Sequence, residues 1–157
     1  MIDLHIHDAH FIRLVCGMPK FVSSIGPMRG KVAEYFNSQF FFEDRSLVVT
    51  ATSGVINQQG RPFTNGYEIH LERATLLFES FTETPVTVLT DDGRVTYPKF
   101  TPGQDETDDF AAELTEAVKA IRTGTPSRLL DGQLARDALI LGQKQTESIV
   151  SRRPVRV

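Results

Sequence analysis

The chain has 157 residues, a net charge of −3 and a pI near 5.8, with 40% hydrophobic and 24% charged residues. These values are ordinary for one globular domain, and the acidic balance argues against a nucleic-acid partner. No apolar run is long enough for a membrane helix, and the single cysteine, Cys16, indicates a reducing compartment, which we take to be the cytoplasm.

The chain is predicted to open with a helix. Residues 4–16 are too densely apolar for a half-exposed strand, and Gly17 and Pro19 follow them as a helix stop. We therefore expect a buried helix in this segment.

The middle of the chain, from Lys20 to Tyr97, alternates in the way that strands with two distinct faces do. Strands are predicted at 35–42, 46–54, 67–72, 75–79 and 86–90, with turn residues between them. Such short connections suit antiparallel neighbours. We expect an open, mostly antiparallel sheet.

Two further helices are predicted towards the end of the chain. The first runs from about Glu106 to Gly124 and the second starts at Asp131, a favourable N-cap. Their apolar stripes are Phe110, Leu114, Ala117, Val118 and Ile121, and then Leu134, Ala138, Leu141 and Ile149. The fold class is thus α+β, with the helices packed on one face of the sheet.

The other face of the sheet is expected to carry apolar groups among polar ones: Tyr35, Phe41 and Val48 with Asn37, Gln39, Thr50 and Thr52. An uncovered apolar patch of this kind is typical of an interface. We expect a homo-oligomer formed through this face, the alternative being an ordinary solvated sheet.

Residues 3–10 hold three of the four histidines. In a helix, Asp3, His7 and His10 share one stripe, and His5 points about 200° away from Asp3. A carboxylate and an imidazole one turn apart suit the oxidation of a hydroxyl group, with His7 as the base and Asp3 orienting a second hydroxyl or stabilising the imidazolium. The alternative is that Asp3 caps the helix and His7 is a satisfied interior residue.

A strand would instead place His5 and His7 on one face, as in the His-x-His metal pair of amidohydrolase-like barrels. Such a site needs further metal ligands from later strands, and His70 is the only histidine after this cluster. A barrel of this kind also needs about 250 residues, more than this chain has. A fragment of a metal-dependent hydrolase is therefore the weaker hypothesis.

The sequence resembles the Gfo/Idh/MocA family of NAD(P)-dependent oxidoreductases. The family motif Asp-x-x-x-His-Asp, followed by an apolar run and Gly-x-Pro, is matched by Asp3, His7, Asp8 and the segment from Gly17 to Pro19. Residues 110–124, followed by Asp131 and a helix, are similar to the closing segment of the family. The matches bracket nearly the whole chain.

The resemblance implies a C-terminal α+β domain like that of glyceraldehyde-3-phosphate dehydrogenase, acting on a sugar, polyol or related hydroxy compound. It implies that Asp3 and His7 are catalytic, that they bind substrate together with His10, and that the open sheet faces form oligomers. Asp8 lies off the stripe and is given a structural role.

The chain lacks the Gly-x-Gly-x-x-Gly loop of a Rossmann domain and the catalytic lysine segment of the family. We therefore expect residues 1–157 to form a single domain, an excised fragment or naturally split domain whose partner is a Rossmann domain elsewhere. NAD or NADP would bind in the full-length enzyme and not to this chain. The alternative is a non-catalytic sugar-binding or assembly module that stands alone.

Overall fold

A computed structural model describes residues 2–55, 59–80, 82–98 and 107–157, without the side chains of residues 2, 3 and 107–109. The chain is α+β, with helices α1 (Ile2–Cys16), α2 (Thr107–Thr123) and α3 (Gly132–Ser151). The strands are β1 (Phe21–Ile25), β2 (Met28–Arg29), β3 (Val32–Ala33), β4 (Tyr35–Phe41), β5 (Val49–Gly54), β6 (Gly66–His70), β7 (Ala74–Glu79), β8 (Val86–Thr90), β9 (Val95–Thr96) and β10 (Val155–Arg156). They belong to two compact units, Met1–Asn57 with Ala112–Val157, and Gln58–Ala111.

The first unit contains a four-stranded antiparallel sheet in the order β10-β1-β4-β5. Its register places Val22 opposite Phe40 and Ser24 opposite Ser38, and all four side chains are buried. Strand β4 alternates as predicted, with Tyr35, Asn37, Gln39 and Phe41 exposed on the other face. Val48, predicted on that face, instead precedes β5 and belongs to no strand.

Helices α1 and α3 pack against each other and cover the inner face of this sheet. The main core consists of Ala9, Ile12, Val22, Phe40, Ala138 and Leu141. Ala9 and Ala138 have no exposed surface, because a methyl side chain on each helix lets its neighbours approach closely. The core of the unit therefore lies between these two helices and the sheet.

The prediction that the opening segment is buried is wrong for half of α1. Ala9 and Ile12 are buried, whereas Phe11, Leu14 and Val15 are exposed on the opposite side. The apolar density of the sequence identified the helix, but only one side of a helix can face a single sheet.

Helix α3 follows its predicted stripe. Asp131 is its N-cap, and the carboxylate accepts a hydrogen bond from the backbone N–H of Gln133 at 2.9 Å. The four residues of the predicted apolar stripe, Leu134, Ala138, Leu141 and Ile149, are all buried. None of the described helices is both long and apolar enough to cross a membrane.

Helix α2 forms as predicted from Thr107 onward, and Glu106 lies outside the described residues. The expectation that its apolar stripe covers a sheet is wrong, since Phe110, Leu114 and Ile121 are all largely exposed. Amphipathic spacing predicts that a helix has an apolar face, but it does not identify the surface that covers this face.

The second unit contains a separate antiparallel meander, β6-β7-β8-β9. Tyr67 and Phe78 stack across β6 and β7 with ring centroids 5.2 Å apart. Among the described residues, the predicted middle is thus divided among three sheets instead of one. Strands β1, β4 and β5 belong to the first sheet, β2 pairs with β3, and β6 to β9 form the meander.

Strand β4 offers a matched test of the two sheet faces. We expect Phe40→Ala to lower the free energy of unfolding by about 3–5 kcal/mol, because it empties a buried site. Phe41→Ala, one residue further on, should cost about 1 kcal/mol or less. Urea unfolding measures both, and equal losses would contradict the assignment of the faces.

Candidate functional site

Helix α1 carries the cluster of histidines and separates its members. His5 is 1% exposed and lies on the side facing the core, whereas His7 is exposed. His10 is half-buried, between these extremes. A helix turns by about 100° per residue, so positions 3, 7 and 10 fall on one side and position 5 on the other. The structure thus has the predicted helical geometry for this segment.

His7 stands on an exposed apolar surface. Its helical neighbours at positions i−3, i+4 and i+7 are Leu4, Phe11 and Leu14, and each of them is exposed. Asp3 lies one turn before His7 in α1, and its side chain lies outside the described residues. The surface thus presents a titratable imidazole among apolar side chains, where a covering surface would exclude water from it.

His10 contains a polar atom that needs a partner. Its Nε2 is buried and has no hydrogen-bond partner among the described residues. Buried polar atoms in folded proteins are nearly always hydrogen-bonded.

A buried polar network joins α1 to α3 and to the sheet. His5 Nδ1 lies 3.0 Å from Asp8 Oδ2, and His5 Nε2 lies 2.8 Å from Gln145 Nε2. Gln145 Nε2 also donates to Ser38 Oγ at 2.7 Å, and Ser38 Oγ lies 2.7 Å from Ser24 Oγ. The imidazole of His5 packs edge-on against Phe36, with ring centroids 4.7 Å apart. The network therefore crosses the core from the first helix to two strands.

Gln145 was not among the residues predicted to matter for the site. The sequence held one signal for it, because Gln145 lies four residues after Leu141 and four before Ile149, on the buried stripe of α3. A fully buried glutamine on such a stripe must find polar partners. Which partners it finds is decided by tertiary packing.

A second polar contact also joins the two helices. Arg13 Nε donates to Asp137 Oδ2 at 2.8 Å, and Gln133 Nε2 donates to Asp137 Oδ1 at 2.6 Å. Asp137 is 5% exposed, so its carboxylate is paired as a buried charge must be. Near the end of α1, partial burial raises the pKa of the Cys16 thiol, which favours the unreactive protonated form.

The geometry does not fit the His-x-His metal pair. His5 and His7 lie on opposite sides of a helix and cannot share one ion. Across the described ranges, no group of three or more His, Cys, Asp or Glu residues is placed to hold a metal. The weaker hypothesis of a metal-dependent hydrolase thus has no ligand set in the described part of the chain.

Of the comparisons with known proteins, only the one with solved structures found matches. No protein-family model matches the chain, and no curated protein matches it significantly. The structure of levoglucosan dehydrogenase in complex with NADH and levoglucosan is similar to this chain, with a TM-score of 0.76 and 19% sequence identity. The match covers 99% of this chain and 49% of the levoglucosan dehydrogenase chain. The same enzyme in complex with NADH and L-sorbose gives a TM-score of 0.77 at 19% identity, over 99% of this chain and 49% of that one.

An oxidoreductase from Agrobacterium radiobacter, in complex with NAD+, L-tartaric acid and magnesium, has a TM-score of 0.78 and 13% identity. The match covers 99% of this chain and 48% of that chain. This chain therefore spans about half the length of the structures it matches. At these low identities the likeness establishes a shared fold, that of one half of these oxidoreductases.

The two histidines of α1 should differ sharply in their effect on stability. We expect His5→Ala to lower the free energy of unfolding by about 2–4 kcal/mol, because it leaves a cavity and an unsatisfied amide at Gln145. The matched change His7→Ala should alter it by about 0.5 kcal/mol or less. Urea unfolding of the two variants checks this, and a larger loss for His7→Ala would show that His7 is an interior residue.

Proposed function

We propose that this chain is the substrate-side domain of an NAD(P)-dependent oxidoreductase of the Gfo/Idh/MocA family, acting on a sugar, polyol or related hydroxy compound. The observation that carries the proposal is the exposed imidazole of His7 on α1, in a fold shared with half of several NAD-bound oxidoreductases. The whole chain, residues 1–157, would act as one such domain. The motif of Asp3, His7 and Asp8 adds to this from the sequence.

In the proposed reaction, His7 accepts the hydroxyl proton of the substrate. The carbinol carbon loses a hydride as its C–O bond becomes a carbonyl, so two electrons leave with the hydride and the proton stays on the imidazole. Asp3 orients a second hydroxyl or stabilises the imidazolium that forms. His10 contributes substrate contacts, since it shares the helical stripe of Asp3 and His7.

Neither the sequence nor the described strands provide a dinucleotide site of the Rossmann type. The sequence has no Gly-x-Gly-x-x-Gly loop, and all paired strands among the described residues are antiparallel, unlike those of a βαβ unit. The nicotinamide cofactor, which would accept the hydride, is therefore assigned to a separate domain. The exposed apolar side of α1 offers a surface for that domain, which would exclude water around His7.

A stand-alone sugar-binding or assembly module is the second candidate. It is favoured by the same observation, the absence of a dinucleotide loop from the sequence. The two candidates differ in chemistry, because only the first requires a proton acceptor at His7. Substrate-dependent reduction of NAD(P)+ distinguishes them.

For the oxidoreductase, we expect His7→Ala to lower kcat/KM by about 10²–10⁴, the usual contribution of a general base. The assay is NADH or NADPH formation from a panel of sugars and polyols, by a protein that carries this chain together with a dinucleotide-binding domain. His70→Ala is the matched control, because its exposed side chain lies in the second unit. Unchanged turnover in His7→Ala would contradict the role of His7 as the base, whereas substrate binding without turnover in the parent protein would favour the binding module.

We also propose that two copies of the chain associate through the outer face of the first sheet. Phe21 and Phe41 are directly opposite each other in the register of β1 and β4, and both are exposed. Tyr35 and Ile25 extend the apolar surface, while Asn37 Nδ2 donates to Thr52 Oγ1 beside it at 2.7 Å. A second copy would bury this patch against the same patch, as two-fold interfaces do.

The double change Phe21→Lys and Phe41→Lys should raise the dimer dissociation constant at least about tenfold, because it places like charges at the centre of the interface. Sedimentation velocity at several protein concentrations measures this constant. Val150→Lys is the control, since Val150 is 67% exposed but lies on α3. A monomeric parent chain, or equal weakening by the control, would contradict this interface.

A further inference from the structure

Helix α1 turns its larger apolar side chains away from the core. It buries His5, Ala9 and Ile12, which are 1%, 0% and 8% exposed. The opposite side carries Leu4, Phe11, Leu14 and Val15, which are 38–52% exposed. Hydrophobic stabilisation grows with the apolar area removed from water, so area alone favours a rotation that buries the second set. Another interaction must select the rotation that is observed.

The buried side of α1 differs from the exposed side in having a polar partner. Gln145, on α3, is completely buried and lies within hydrogen-bond distance of His5 on one side and Ser38 on the other. Rotation of α1 about its axis would remove His5 and leave the amide of Gln145 partly unsatisfied in the core. A buried polar group without a partner is costly, whereas a satisfied network specifies one packing arrangement.

The distances also indicate the direction of each hydrogen bond. The carboxylate of Asp8 accepts, so the proton of a neutral His5 ring lies on Nδ1, 3.0 Å from Asp8 Oδ2. His5 Nε2 is then the acceptor, and the nearer amide atom is Gln145 Nε2 at 2.8 Å, against 3.2 Å for Oε1. The two hydrogens of that amide nitrogen are thus donated to His5 and to Ser38.

We propose that Gln145 is a positioning residue, which donates from Nε2 to His5 Nε2 and thereby fixes the rotation of α1 about its axis, with His7 on the exposed side. Gln145 lies far from His7 in sequence and on the opposite side of α1 from it. The consequence for catalysis rests on the proposed function. The rotation of α1 is measured without substrate or cofactor. The positioning role of Gln145 can therefore be disproved without affecting the proposed catalytic role of His7, and the reverse also holds.

Histidine carbethoxylation with diethyl pyrocarbonate, located by tandem mass spectrometry, tests the rotation. In the parent chain, His7 should react at least about tenfold faster than His5, because a buried ring reacts only after local opening. In Gln145→Met, which keeps the length and volume of the side chain, we expect this ratio to fall to about threefold or less.

A control variant separates rotation from general loosening. Arg13→Met removes the other polar contact between α1 and α3, and should leave the reactivity ratio close to that of the parent chain. A folded Gln145→Met variant with the parent ratio would overturn the proposal, because the close packing of Ala9 would then set the rotation.

The parent chain provides a second test that does not depend on how Gln145→Met folds. Nitrogen-15 NMR of the histidine rings, recorded at a pH where the His5 ring is neutral, should show the ring proton on Nδ1. A proton on Nε2 of His5 would overturn the proposal, because Gln145 could not then donate to that atom.

Discussion

The close packing of α1 against α3 over the inner face of the first sheet is the constraint on which the rest of the first unit depends. Ala9 and Ala138 are fully buried at this contact. Helices that approach so closely leave the His5 ring no route to water, so its nitrogens must be satisfied within the core. Asp8 and Gln145 satisfy them, and Gln145 carries the hydrogen bonding on to Ser38 and the sheet. The contact between α1 and α3 thus forms the apolar core and also encloses the hydrogen-bonded network of His5, Gln145 and Ser38.

In the proposed arrangement, the hydrogen bond from Gln145 to His5, made within this contact, determines what α1 presents to the outside. With His5 directed inward, helical geometry directs His7 outward, among the apolar side chains of the exposed side. Arg13 and Asp137 add a paired charge between α1 and α3, about two turns further along α1 from His5. A site built on a helix held in this way is positioned more precisely than one built on a loop. The energetics of the core and the geometry of the proposed site are therefore linked through a single helix.

Much of the fold was predictable from the sequence, because the spacing of apolar residues and the capping of helices depend on residues that are close together in the chain. The N-cap at Asp131, the buried stripe of α3 and the alternation of β4 all follow from patterns a few residues long. The exposed sides of α1 and α2 were not predictable, since an apolar pattern does not identify the surface that covers it. Nor was the network of Gln145, whose partners are more than a hundred residues away in the chain. Of the predicted site, the helical placement of His7 and His10 followed from spacing, whereas their roles remain proposals.

The two associations proposed for the first unit do not compete for surface. Helix α1 covers the inner face of the first sheet, and the proposed interface between copies, with Phe21 and Phe41, lies on the outer face. Since residues on alternating positions of a strand point to opposite sides of a sheet, a second copy bound at the outer face does not cover the exposed side of α1. That side is where a cofactor domain would complete the site around His7. Oligomerisation and closure of the site can therefore occur in the same assembly, with the sheet and the core of the first unit between them.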